Sequence, residues 1–234
     1  MSGRLDGTRV VVTGASRGLG RALAEAFAAE GARQVVTATS AERLAATCAA
    51  VAERGGDAHP IALDLRDRSS VAAAASEALA VLGRVDVLVN NASLLGARIA
   101  LADLPADVWD DVMAVNTTGT LALIQALLPA MADGGAIINV TSGAAGRAGW
   151  GAYAVSKLAL EGITGMLRDE LADRAIRCVA VNPGGLRTAM RAAAYPDEDP
   201  ATLPRPATVV GPFVAIAAGA DPGPRIDAAS CSAA

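Results

Sequence analysis

Six short apolar runs, each but the last followed by a stretch with helical spacing, constrain this chain more than any other feature. The runs are 9–13 (RVVVT), 34–38 (QVVTA), 59–65 (HPIALDL), 85–91 (VDVLVNN), 136–142 (AIINVTS) and 176–183 (IRCVAVNP). Between them, apolar residues recur three to four apart over 20–30, 40–54, 69–83, 105–131 and 149–173, the pattern of a helix with one buried face. Ser40 is placed to cap the second helix, and glycine ends the third. Strands that are apolar almost throughout must be covered on both faces, so the pattern predicts a parallel sheet between two helical layers. No repeat or linker interrupts it, and 1–234 reads as a single domain. The proline-rich segment 184–206 follows the last strand, where open α/β sheets bind ligands, and is a candidate substrate lid.

Composition narrows the function classes. The 234 residues are 53% hydrophobic with a formal net charge of −4, and no Lys/Arg block offers a nucleic-acid footprint. The first residues, MSGRLDGTR, lack the apolar core of a signal peptide, and no run reads as long enough to cross a membrane. The expected setting is cytoplasmic. Cys48, Cys178 and Cys231 are far apart and match no zinc spacing. His59 is the only histidine. It reads as a loop residue before Pro60, so a multi-histidine metal site is not expected.

Between the first strand and first helix stands VVVTGASRGLGRALA, with Gly14, Gly18 and Gly20. Glycines there permit a tight turn and a close backbone approach to a pyrophosphate, which the N–H groups of the following helix receive. An acid at the end of the second strand would select NAD by holding the ribose hydroxyls. Here Ala38, Thr39 and Ser40 occupy that segment, and Arg17 in the glycine turn supplies a cation for a 2′-phosphate. The cofactor read from this is NADPH/NADP rather than NAD.

Downstream, Tyr153 precedes Lys157 by one helical turn, and Ser142 ends the fifth strand. Residues four apart share a helix face. An ammonium beneath a phenol favours the phenolate, and the spacing predicts a Tyr153 pKa lowered from about 10. Such a group exchanges a proton with a carbonyl oxygen or an alcohol near neutral pH. The Ser142 hydroxyl would hold the developing oxyanion. Thr141 should face the other side of its strand.

Taken together, TGASRGLG (13–20), LDL (63–65), VNNAS (89–93), Asn116 in MAVNTTG, INVTS (138–142), YAVSK (153–157) and NPGGLRT (182–188) resemble, in content and order, the short-chain dehydrogenase/reductase family. GARQVVTATS is similar to the matching segment of its NADPH-dependent 3-oxoacyl-carrier-protein reductases, whereas the tail PRIDAAS departs from their glycine-rich C-terminus. The resemblance implies a Rossmann-type doubly wound parallel sheet. It implies Ser142, Tyr153, Lys157 and Asn116 as the catalytic set, with Asn116 interrupting its helix and holding a water that relays protons through Lys157. It implies cofactor contacts from Gly14, Ser16, Arg17, Gly18, Leu19, Gly20 and Thr39, from Asp64 and Leu65 at the adenine, and from Asn91 and Ala92, with Asn90 supporting the sheet. Tyr153, Lys157, Pro183, Gly184, Leu186 and Thr188 would flank the nicotinamide half. Two departures stand out: the Ser142–Tyr153 interval is short for the family, and Ser93 stands where the family has glycine.

The expected activity is NADPH-dependent reduction of a small-molecule carbonyl compound, a ketone, aldehyde or 3-oxoacyl type, to an alcohol, and the resemblance implies a homodimer or homotetramer formed through the two long helices. An NAD-dependent alcohol dehydrogenase running oxidatively and a dinucleotide-binding sensor without turnover are the alternatives.

Overall fold

Seven parallel strands form one sheet in the order β3-β2-β1-β4-β5-β6-β7. They are β1 (Arg9–Val12), β2 (Arg33–Ala38), β3 (Asp57–Ala62), β4 (Val85–Asn90), β5 (Met131–Val140), β6 (Arg177–Asn182) and β7 (Arg225–Asp227). The computed structural model describes residues 3–231. Connecting helices are α1 (Gly18–Ala29), α2 (Ala45–Ala52), α3 (Arg68–Leu82), α4 (Ala106–Met113), α5 (Thr120–Leu127), α6 (Gly151–Glu170), α7 (Ala189–Ala194) and α8 (Gly211–Ala217). This is the doubly wound Rossmann-type architecture.

Strand alternation divides the core into two layers. Val10 and Val12 of β1 and Ile138 of β5 join Leu23 and Phe27 of α1 and Phe213 of α8 on one face. Val11 and Ile137 join Val71 of α3 and Leu123, Ile124 and Leu127 of α5 on the other. Each full burial of such a side chain is worth about 1.5–3 kcal/mol, so the register that sets this alternation is strongly specified. Strand order reverses between β1 and β4, and the crevice opens at the carboxyl ends of the strands beside that switch point.

Several expectations are corrected. His59 and Pro60 belong to β3 itself; β3 is a sheet edge, where the missing proline N–H is tolerated. Ser40 precedes a 3-10 turn, Ala41–Leu44, but makes no capping hydrogen bond. The long helix over 105–131 is broken by a π-helical turn, Ala114–Gly119. The stretch Ala106–Ala130 is also long and apolar enough by length and composition to cross a membrane, contrary to the sequence reading. Its Leu123, Ile124 and Leu127 are buried against the sheet, which accounts for the apolar run as core. β7 and α8 lie beyond the last predicted strand. Cys48 and Cys178 are unpaired thiols; the side chain of Cys231 lies outside the described residues.

Candidate active site

The glycine turn is held by hydrogen bonds that leave its outer side open. Asn91 Nδ2 donates to the Thr13 carbonyl at 2.9 Å and to the Gly14 carbonyl at 3.1 Å. Thr13 Oγ1 accepts from the backbone N–H of Asn91 and Ala92, both at 3.0 Å. Gly14 has φ +65°, and a Cβ there would stand 2.7 Å from the Ala92 Cα. A Cβ on Gly20 would meet the Gly14 carbonyl oxygen at 2.4 Å. The first turn of α1 can therefore press against the strand ends only because these positions lack side chains.

A cleft of ≈ 640 Å³ runs along the strand ends from this turn to α7. Gly14, Ser16, Arg17, Gly18, Leu19, Thr39, Asp64, Leu65, Asn91 and Ala92 line one end. Ser142, Tyr153, Lys157, Pro183, Gly184, Leu186 and Thr188 line the other. Gly20 and Asn116 are not on its walls. The Asp64 carboxylate is forked by Arg66 at 2.8 and 3.0 Å, which holds it below the usual carboxylate range. Arg43, which the sequence reading missed, also lines the cleft and donates to Thr39 Oγ1 at 3.3 Å. Its position one turn past β2 follows from the 3-10 turn, a feature that periodicity does not reveal.

These residues fit a dinucleotide carrying an extra phosphate. Backbone N–H groups and a helix N-terminus offer the anion site. Arg17 and Arg43 stand at the β2 end with no carboxylate at positions 38–40.

At the other end, Tyr153 and Lys157 lie one turn apart near the start of α6 and are 7% and 2% exposed. The Lys157 ammonium is 5.6 Å from the Tyr153 ring centroid and donates to the Val140 carbonyl at 2.8 Å. The Ser142 hydroxyl accepts from Ala144 N–H at 3.1 Å and lies near enough to the Tyr153 phenol to oppose the upward shift of its pKa. The short interval thus still brings the two hydroxyls together. A succession of tight turns closes it: Ala145 N–H donates to the Ser142 carbonyl at 3.1 Å and Arg147 N–H to the Ala144 carbonyl at 3.0 Å. Thr141 does face away, its Oγ1 donating to Glu161 at 2.7 Å.

The expected lowering of the Tyr153 pKa is not what the protein groups produce. Burial raises the phenol above its ordinary value, and burial pushes the Lys157 ammonium down to about 8. The ammonium is directed at the Val140 carbonyl, and burial of the phenol outweighs the opposing influence of Ser142.

Asn116 lies in the π-helical turn, as a helix interruption requires. Its side chain is fully used: Oδ1 accepts from Leu94 N–H at 2.8 Å, and Nδ2 donates to the Leu94 carbonyl at 2.8 Å and to Ser156 Oγ at 3.0 Å. Ser156 Oγ in turn donates to the Tyr153 carbonyl at 2.8 Å. Asn116 thus ties the loop after β4 to α6 immediately beneath the tyrosine. Asn90 donates to Asn139 at 2.8 Å across the sheet, the supporting position anticipated for it. Ser93 Oγ is buried without a hydrogen-bond partner.

Above Tyr153 the wall is aromatic and was not foreseen. Trp150 stands 6.1 Å from the Tyr153 ring and 5.8 Å from Tyr195. The Arg98 guanidinium lies 4.5 Å from the Trp150 ring and 4.3 Å from Tyr195, and also donates to the Ala194 carbonyl. Arg191 lies 3.8 Å from Tyr195 and is forked to Glu198 at 2.6 Å. Both tyrosines and one of the two tryptophans of the chain are gathered here.

Similarity to known proteins agrees with this construction. The family model for short chain dehydrogenases matches residues 8–199. The oxidoreductase YciK of Escherichia coli (strain K12) is 40% identical over 208 residues, 86% of this chain and 82% of the relative. The 3-oxoacyl-[acyl-carrier-protein] reductase FabG of Aquifex aeolicus is 36% identical over 194 residues, 81% of this chain and 78% of that protein. A short chain dehydrogenase of Shigella flexneri 2a, solved in complex with NADP, superposes with a TM-score of 0.92 at 35% identity over 98% of this chain and all of that one. With its glycine turn, its Ser–Tyr–Lys cluster and this match over most of its length, the chain belongs to the short chain dehydrogenase family of oxidoreductases.

Proposed function

We propose that the chain reduces a carbonyl compound to an alcohol with NADPH, Tyr153 being the proton donor. The observation that carries this reading is the juxtaposition of the Ser142 hydroxyl, the Tyr153 phenol and the buried Lys157 ammonium at the end of β5, in a cleft whose other end is a basic glycine turn. Bound there, the dinucleotide supplies the hydride. The phosphates would be held by the N-terminus of α1, the 2′-phosphate by Arg17 and Arg43, the adenine by Asp64 and Leu65, and the nicotinamide half by Lys157, Asn91, Ala92, Pro183, Gly184, Leu186 and Thr188.

The remaining work belongs to the chain. Ser142 donates a hydrogen bond to the carbonyl oxygen and holds it as negative charge develops. Tyr153 gives that oxygen a proton; its raised pKa keeps the phenol protonated at neutral pH, as a donor must be. The Lys157 ammonium stabilises the phenolate left behind. Asn116, through Ser156, fixes the turn of α6 that carries Tyr153; with its side chain spent on Leu94 and Ser156, it is a positioning residue rather than the holder of a relay water. Segment 184–206, with α7, closes over the substrate end.

The absence of an acid at the end of β2 and the two arginines there favour NADPH over NAD, and so reduction over oxidation. The retained Ser–Tyr–Lys cluster favours an enzyme over a sensor. The exposed Leu158 and Met166 on α6 (53% and 65%) support a homo-oligomer through that helix. The test is steady-state turnover of a ketone and aldehyde panel with each cofactor. Consumption of NADPH at least tenfold more efficient than of NADH, in kcat/KM, is expected; equal or better use of NADH overturns the cofactor assignment.

A further inference from the structure

The cleft is basic in an acidic protein. Its walls carry Lys157 and five arginines against one carboxylate, Asp64, although the whole chain is at −4. Most of these cations are already engaged. Arg66 is paired with Asp64, Arg191 with Glu198, Arg43 with the Thr39 hydroxyl, and Lys157 with the Val140 carbonyl. Among the described residues, the guanidiniums of Arg17 and Arg147 are the two on the cleft walls that have neither an ion pair nor a hydrogen-bond acceptor.

They stand at opposite ends. Arg17 belongs to the glycine turn and is accounted for by a phosphate of the dinucleotide. Arg147 lies beyond the reacting groups, in the turn that follows Ser142, with its side chain exposed at the rim. That turn is not a loose loop: it is closed by consecutive backbone hydrogen bonds at 3.1 and 3.0 Å, with Gly146 at φ +70°. The guanidinium is therefore presented from a fixed base five residues after Ser142. Ala144 of the same turn packs in one cluster with Trp150, Leu95, Met190 and Tyr195, which supply apolar surface to the same cleft. An unpaired guanidinium on the wall of a cleft that also offers apolar surface can receive a carboxylate or a phosphate through charge-assisted, often forked, hydrogen bonds.

We propose that the substrate is a carbonyl compound with an apolar body and an anionic group, and that Arg147 receives the anion while Ser142 and Tyr153 hold the carbonyl oxygen. This inference rests on the reductase reading, and its test separates the two. Reduction of 4-acetylbenzoate and of its methyl ester is compared with NADPH in the wild type, Arg147→Lys, Arg147→Ala and Arg147→Glu, with 4-acetylphenyl phosphate as a second anion. The acid is expected to exceed the ester in kcat/KM by about tenfold, mostly through KM. Arg147→Ala removes that ratio, Arg147→Glu inverts it and Arg147→Lys restores part of it. A larger advantage for the phosphate than for the carboxylate identifies the phosphate as the fitting anion. Calorimetric titration of the same ligands into the NADP+-loaded protein reads the anion preference without turnover. Binding of the anions that is weakened in Arg147→Ala, with no reduction of any ketone, keeps the anion site and removes the reductase reading. Equal handling of acid and ester by the wild type, or a ratio unchanged by Arg147→Ala, overturns the inference.

Discussion

The two ends of the cleft are built by different means. At the glycine turn the binding surface is backbone, brought within reach by missing side chains and locked by Thr13 and Asn91. At the substrate end the surface is side chains from segments far apart in sequence, Trp150 before α6 and Arg191 and Tyr195 in and after α7, backed by Arg98 after β4, which lies against the Trp150 and Tyr195 rings. A backbone site tolerates little change and serves a ligand that does not vary. A stack of side chains can be re-dealt without disturbing the sheet beneath it, which suits a fold whose members take different substrates.

The largest expected effect breaks the backbone half. In Gly20→Val a Cβ would stand 2.4 Å from the Gly14 carbonyl oxygen and 2.5 Å from Asn91 Nδ2, so α1 must move away from the strand ends. A stability loss on the order of 1–3 kcal/mol is expected from such overpacking, together with loss of tight NADPH binding, read by thermal melting and fluorescence titration. Unchanged melting and affinity would contradict the close-packed account of the turn.

A middle-sized effect concerns the proton machinery that joins the halves. The Lys157 ammonium, near 8, is present below that pH and lost above it, whereas the Tyr153 phenol is raised and stays protonated through the same window. The reductive kcat should therefore fall as pH rises through about 8. In Lys157→Arg the charge persists, so whatever activity remains should lose that inflection. A flat wild-type profile from pH 7 to 9 would show that the ammonium is not required.

The smallest effect loosens the side-chain half. Arg98→Ala removes a guanidinium held against two aromatic rings, an arrangement worth roughly 0.5–2 kcal/mol. A several-fold rise in KM for the carbonyl substrate and a change in tryptophan emission are expected, with NADPH affinity retained. Equal losses at both ends would erase the distinction between them.

This division also explains what could be read in advance. The strand–turn–helix with Gly14 and Gly20, the six apolar strands and the Tyr153–Lys157 pair are local signals, and each is present, although β3 is Asp57–Ala62 rather than 59–65 and β5 begins at Met131, inside the stretch read as helix. β7 was not legible because Arg225–Asp227 is three residues with no apolar run; it exists through pairing with Ala180–Asn182. The interruption at Asn116 was implied by the family resemblance and not by spacing; its side chain bonds Leu94 and Ser156, 22 and 40 residues away. Arg98 and Arg147 carry no pattern of their own, since their significance comes from neighbours that only folding supplies. The pKa shift at Tyr153 was misread because spacing reveals the nearby ammonium but not the burial that opposes it.

The central claim, that Tyr153 supplies the proton in a site otherwise complete without its hydroxyl, is tested most directly by Tyr153→Phe. The substitution keeps the ring packed against Trp150 and removes only the donor. NADPH affinity within a few-fold of wild type, with kcat for carbonyl reduction lowered by about 10²–10⁴-fold, is the predicted result. Undiminished turnover in a variant that binds NADPH normally would contradict the account.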